Sequence, residues 1–418
     1  MCKDENEKKE SNQKRNMKKI ILLAVALCVI KNSNAQWINQ TSNTTNHLSS
    51  VCFVSPDTGY AVGAMGTIVK TINGGNDWSV QPSLTSYNLK SICFADNNVG
   101  YIVGQYGRIF KTMDGGNNWL LLTTDTTYDF NSVCFISADT GFITGKKGDN
   151  GYVLKTTNGG TTWLPFSASY GQITVLNSVH FDNSSFGLAA GYFYNPYNFY
   201  PLVLKTTNGG TTWSPKYPIG SSLYSVHLIN ADTGYTVGVN NSLLKTNNGG
   251  DGWITQYCSS NVDLTSVFFT SGVLGYAVGS NGTILKTTDG GNNWDSQVSN
   301  TSNHLNSVCF ANSNIGYAVG NSGTILKTIN GGIITNNEFG ENDRIDVVIS
   351  PNPFNDIVQL ECLKGADVEI INPWGQVMMS KKTQDSRTTL NLAKLDCGVY
   401  FIRIKTDNAI IIKKIIKD

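Results

Sequence analysis

A nine-residue pattern, Lys-Thr-x-Asn/Asp-Gly-Gly-x-x-Trp, occurs six times, at residues 70–78, 111–119, 155–163, 205–213, 245–253 and 286–294. A seventh copy, residues 327–332, stops before its Trp. Each copy reads as a strand end, a tight hairpin whose glycines supply positive φ, and an aromatic residue opening the next strand. A hairpin returning about every 41 residues constrains the chain to an array of similar β units.

The rest of each unit is just as regular. Leu-x-Ser-Val-x-Phe comes first (residues 48–53 or 305–310), then Gly-Tyr-Ala-Val-Gly (59–63 or 275–279), then Gly-Thr-Ile-Leu-Lys-Thr (282–287). With the Trp segment these give four short strands, a to d, rich in β-branched and aromatic residues and bounded by turn residues. The a-b-c trio occurs seven times, its serines at 50, 91, 132, 178, 225, 266 and 307, but the d segment follows only six of them. The seventh Trp stands at the other end, at Trp37, and residues 37–53 parallel residues 294–310, including Asn-His-Leu at 46–48 and 303–305. The expected fold is therefore all-β: a seven-bladed β-propeller over residues 36–334, closed by the N-terminal strand. An open solenoid would need capping units and gives no reason for the offset Trp.

Thr71, Asn73, Gly75 and Trp78 fit the Asp-box hairpin of sialidase-type propellers, with Asn for Asp; Asp114 and Asp289 restore the Asp. The whole unit resembles the propellers of the photosystem II stability/assembly factor family. That resemblance marks fold more than function, because Asp-boxes occur in propellers of many activities.

Both ends differ from the repeat. Residues 1–16 are charged and read as a start-site artefact. Residues 17–35 read as a secretory signal peptide: Lys18-Lys19, an apolar run from 20 to 30, and Ser33-Asn34-Ala35 before Gln36. That run is too short to span a bilayer, so no transmembrane segment is expected in the mature chain. After a polar linker, 335–345, residues 346–418 alternate apolar and polar residues between Asn-Pro and Gly turns, as expected of a small Ig-like β-sandwich with strands near 358–361, 368–371, 388–392, 399–404 and 409–412. Ser-Pro-Asn-Pro-Phe at 350–354, Asn372-x-x-Gly375-Gln376-Val377, Gly398-Val399-Tyr400-Phe401-Ile402 and Lys413-Lys414-Ile415-Ile416-Lys417 resemble the type A C-terminal sorting domain of the type IX secretion system. The resemblance implies a Bacteroidota-type protein, secreted or at the outer cell surface, whose tail engages the secretion machinery. Cys362 and Cys397 could pair, though nothing local demands it.

Chemistry is sparse. A net charge of +1 gives no electrostatic case for nucleic acid or an anionic membrane. Between Gln36 and Asn337 there is one Arg, Arg108, and no Glu, whereas a sialidase-like site needs several Arg to clamp a carboxylate. Asp57, Asp139, Asp232, Asp114 and Asp289 sit at repeated turn positions, where side-chain-to-backbone bonding accounts for them. Cys52, Cys93, Cys134 and Cys309 occupy one equivalent a-strand position, which His180 and His227 take in two other units; interblade packing explains them, with one ring nitrogen satisfied. His47 and His304 are likewise equivalent to each other. No metal, cofactor or catalytic set is expected. One Lys per unit (70, 111, 155, 205, 245, 286, 327) is expected to lie across a blade face, its ammonium reaching the hairpin or solvent.

Length varies in only some connections. From the b-strand aromatic position to the c-strand Lys is ten residues in five units, but thirteen from Phe142 to Lys155 and seventeen from Leu188 to Lys205. The inserts fall in neighbouring blades three and four and on one face of the disc. They carry Lys146, Lys147 and Tyr152 in one, Tyr192, Tyr194, Tyr197, Phe199 and Tyr200 in the other, with Tyr170 beside them. As aromatic-rich loops they form the candidate binding surface. The expected function is a non-enzymatic propeller binding a glycan or protein; the alternatives are an extracellular glycoside hydrolase or lyase, and an assembly factor related to the photosystem II propellers.

Overall fold

The structure, a computed structural model, describes residues 37–332 and 348–417 apart from 84, 123–124, 259, 362–364, 373–375, 386 and 406–409. The expected start-site segment, signal peptide and linker, and Cys362 of the possible Cys pair, lie outside the described residues. The chain divides into two compact units, Met1–Thr335 and Asn336–Asp418.

The first unit contains seven four-stranded antiparallel sheets, one per blade. Blade one is Leu48–Phe53, Gly59–Gly63, Ile68–Thr71 and Ser79–Gln81 (a to d). Blade seven takes a, b and c from Leu305–Phe310, Gly316–Gly320 and Ile325–Thr328, and its d strand is Ile38–Gln40 from the N-terminus, in register Ile38 to Lys327 and Gln40 to Ile325. The a strands of successive blades lie side by side around the ring, the seventh beside the first.

An a strand is a sheet edge, and an edge has unpaired backbone groups. Each blade satisfies those of the next. Ser50 Oγ accepts the N–H of Ile92, and Ser91, Ser132, Ser178, Ser225 and Ser266 accept from Val133, Val179, Val226, Val267 and Val308 at 3.2–3.4 Å. Ser307 of blade seven accepts from Val51 of blade one at 3.3 Å. Two residues along, Cys93 Sγ takes the Phe135 N–H (3.4 Å) and His180 Nδ1 the Leu228 N–H (3.2 Å). Cys52, Cys134 and Cys309 do the same for Phe94, Phe181 and Phe53, whereas His227 makes a backbone hydrogen bond with Phe269 that favours its protonated form. Only Phe268, in blade six, has no acceptor to offer at that position.

An aromatic layer fills the space between blades. Tyr60 stacks on Phe94 of the next blade (4.6 Å between ring centroids), and Phe94 meets Trp119 edge-on (6.0 Å). The a-strand ring lies over the glycine opening the b strand, so a Cβ added at Gly59 would collide with Phe53. In the Asp-box hairpin, Thr71 Oγ1 accepts the Gly75 N–H at 2.8 Å and Gly74 and Gly75 have φ of 65° and 78°. Gly74 N–H reaches Asp57 O, so hairpins share one face with the a–b turns. On the opposite face Ala64 N–H bonds His47 O, which groups the b–c turns with the d–a connections.

The inserted lengths are strands, which corrects the expectation of loops. Blade three has b and c strands Gly141–Lys147 and Asn150–Thr156, and blade four Gly187–Asn195 and Asn198–Thr206. Tyr192, Phe193, Tyr194 and Asn195 face Pro201, Tyr200, Phe199 and Asn198 across the ladder. Facing aromatic pairs favour such a ladder, and Pro196-Tyr197 supplies the turn.

The second unit is a small β-sandwich. One sheet is Val348–Ser350, Ile357–Glu361 and Arg387–Asn391; the other is Val377–Lys382, Asp367–Ile371, Gly398–Lys405 and Ile410–Lys417. Val358, Leu360, Leu390, Val368, Ile370, Ile402 and Ile415 form its core. Sequence pattern missed Val377–Lys382: five of its six side chains are exposed, so the inward alternation that reveals a strand is absent.

Candidate functional site

The blade-four hairpin carries rings on both sides, as strand alternation requires. On one side Phe199 lies 5.6 Å from Tyr192 and 5.0 Å from Tyr194. On the other Phe193 stacks on Tyr200 at 5.2 Å and meets Tyr217 at 5.8 Å, and Tyr217 meets Tyr170 at 6.4 Å. The rings brace one another but stay open outward: Tyr197 at the tip is 88% exposed, Phe199 57% and Tyr200 38%, while Tyr192, Tyr194 and Tyr170 are half-buried. Burial pushes the Tyr192 and Tyr170 phenols up, so both are neutral donors at ordinary pH.

The other candidates gather elsewhere on the same face. Lys147 pairs with Asp125 at 2.6 Å and lies over Tyr128 at 5.0 Å, and Tyr152 meets Tyr128 edge-on at 5.2 Å. Lys147 and Tyr152 thus belong to a knot around Tyr128, and Lys146 is half-buried beside it in the same strand. Sequence reading missed Tyr128, which opens the blade-three a strand Tyr128–Phe135, Tyr217, which follows the strand Ser214–Lys216 in an ordinary connection, and a third group in blade two. There Tyr87 and Tyr106 are 4.6 Å apart and Arg108 lies 5.2 Å over Tyr87.

The repeated polar residues are occupied with structure. Lys70 Nζ and Tyr60 Oη both donate to Gly115 O of the next blade's hairpin, at 2.8 and 2.6 Å; Lys111 with Tyr101, and Lys245 with Tyr235, clamp Gly159 and Gly290 in the same way. Leu188 replaces the Tyr in blade four, and Lys205 there pairs with Asp251 at 2.7 Å. Asp114 and Asp289 cap their hairpins through backbone and side-chain bonds, which hold each carboxyl down at about 2. Burial pushes the Cys134 thiol up to about 12 and Cys309 up to about 11, far from a reactive thiolate. Among the described residues no cluster of His, Cys, Asp or Glu could hold a metal ion, and no helix is long and apolar enough to cross a membrane.

His180 and His227, 4.6 Å apart, give a pH dependence. Burial lowers the His180 imidazole to about 4 and His227 well below its usual value. An imidazolium cannot accept the Leu228 N–H. The unfolded chain takes up protons near pH 6.5, before the folded one, so the stability contribution is full above that pH and is lost as pH falls towards 4. Asp114 and Asp289 stay ionised throughout that window. Urea midpoints at pH 7 and 4.5 should fall for the natural chain and fall less for His180→Cys, which installs the residue of blades one to three. An equal fall in both proteins would refute the assignment.

Residues 29–128, 83–171, 211–295 and 254–329 match the photosynthesis system II assembly factor YCF48 family. The chain belongs to that family. Residues 348–418 match the secretion system C-terminal sorting domain, which marks the protein for export by type IX secretion to the cell surface or beyond. Among solved structures, the family's fold is seen in one described as YCF48 bound to D1 peptide (TM-score 0.58, 18% identity, 72% of this chain and 96% of that one). It is seen again in YCF48 from Cyanidioschyzon merolae (0.58, 18%, 70% and 98%). The WD40 β-propeller domain of Doa1 is also similar (0.56, 10%, 69% and 94%). At these identities the likeness is one of fold. No curated protein matches the chain.

Proposed function

We propose that this exported member of the YCF48 family is a non-enzymatic binding module. Its partner would sit on the face of the b–c turns, over blades three and four. The carrying observation is the blade-four hairpin, which holds Tyr197, Phe199 and Tyr200 open to solvent on a rigid ladder. Rings fixed by mutual packing lose little freedom on binding, and their apolar faces suit the C–H faces of sugar rings. Asn195 and Asn198 stand beside them as hydrogen-bonding amides. A glycan is the reading this surface favours. A polypeptide is the second reading, supported by the similar structure described as bound to a peptide. Against an enzyme stand the repeat's acids, committed to turns and hairpins, and the lack of any Glu from 36 to 337.

The test is an array of extracellular polysaccharides and peptides, with reducing ends assayed on every hit. Binding without release of reducing ends is expected. Release of reducing ends would replace this reading with the glycoside hydrolase.

A further inference from the structure

A second site lies on the same face, around the ring at the junction of blades seven, one and two. A cavity of about 360 Å³ opens there, lined in part by His47, Ser49, Asn88, Lys90, Asn306 and Asn321. It falls within the size range of small-ligand pockets.

Its polarity follows from which atoms are already spent. His47 Nδ1 accepts the Ser322 N–H at 3.0 Å, which leaves Nε2–H as the ring's remaining donor. Asn88 Oδ1 accepts the Met65 N–H at 3.1 Å, which leaves its NH₂. Asn321 Oδ1 accepts from Asn306 at 3.3 Å, which again leaves an NH₂. Lys90 is exposed and has no ion pair or hydrogen bond among the described residues, and no carboxylate lines the cavity. Asn306 spends its NH₂ on Leu48 O and Asn321, so its Oδ1 is the one side-chain acceptor among these donors; Ser49 can serve either way. One ammonium, three further N–H donors and one acceptor match a single negative charge with a neighbouring donor.

We infer that this cavity binds a carboxylate that carries a hydroxyl or amide N–H next to it. A uronic acid and a polypeptide C-terminus both have that chemistry. Phosphate does not fit as well, because its charge exceeds the one ammonium present.

Calorimetric titration of the full chain tests this with matched pairs: glucuronate against glucose, and triglycine with a free against an amidated C-terminus. At least one acid should bind and its neutral twin should not. Binding should weaken with salt, and Lys90→Met should reduce it roughly tenfold or more. Lys90 is exposed, so the variant should fold. Glucuronate binding alone identifies a sugar acid, and triglycine binding alone identifies a chain terminus. Equal binding of acid and neutral twin, unchanged affinity in Lys90→Met, or no binding by either acid would overturn the site. None of these outcomes depends on the aromatic hairpin.

Discussion

Trp37→Ala should cost the propeller about 3–5 kcal/mol, the range for removing a large buried aromatic. Trp37 is fully buried, 6.2 Å from Tyr276 and 5.9 Å from Phe310, edge-on to both. It sits where Trp78 sits in blade one, against Phe53 and Tyr317. Its strand is short, and Ile38 is exposed, so the ring itself does most of the anchoring. Deleting residues 36–41 should cost more, because the ladder to Ile325–Thr328 goes too and leaves blade seven with an unpaired outer edge. Urea unfolding measures both. A loss below about 1 kcal/mol for Trp37→Ala, the size of a typical surface change at most, would mean that the N-terminal strand does not hold the ring.

Removing residues 346–418 should abolish export while the propeller stays folded. Each unit has its own core: the sandwich packs Val358, Ile370 and Ile402 together, and each blade junction of the propeller is filled by that unit's own residues. The tail matches the sorting domain over residues 348–418. In a host with type IX secretion, the truncated chain should accumulate inside the cell with an unchanged thermal midpoint. Normal release of the truncated chain would refute the tail's role. A collapsed midpoint would show that the propeller needs the sandwich to fold.

The ring could be read from the sequence because its parts repeat and one of them is displaced. Trp37 lacks a hairpin before it and residues 327–332 lack a Trp after them, and only closure reconciles the two. The bonds joining the blades were less legible. Ser50 and Cys52 look like small core residues, and their work as acceptors for a neighbouring blade's N–H groups depends on a spacing that appears only once the a strands lie side by side. The clamp on Gly115 joins Lys70 and Tyr60 of one blade to the hairpin of the next, so no local pattern announces it. In the candidate site, the location of the extra length was legible from spacing. Its form was not, because Tyr192–Tyr200 reads as a polar-aromatic loop until Phe193 and Tyr200 are seen to face each other across a ladder. Tyr217 and Tyr128 were missed for a simpler reason: they join the clusters through space, Tyr217 from a connection of ordinary length and Tyr128 from the start of an a strand.

The most direct test of the account combines the substitutions Tyr194→Ala, Tyr197→Ala and Tyr200→Ala and measures affinity for whichever array ligand the natural protein binds, beside the thermal midpoint. Tyr197 is almost fully exposed, Tyr200 is exposed and Tyr194 is half-buried in the hairpin rather than in a blade core, so the midpoint should move little. Affinity should fall by a factor of ten or more, from the loss of roughly 1–3 kcal/mol per stacking or anchoring ring that contacts the ligand. Unchanged affinity in a folded triple variant would contradict the proposal that this hairpin holds the partner.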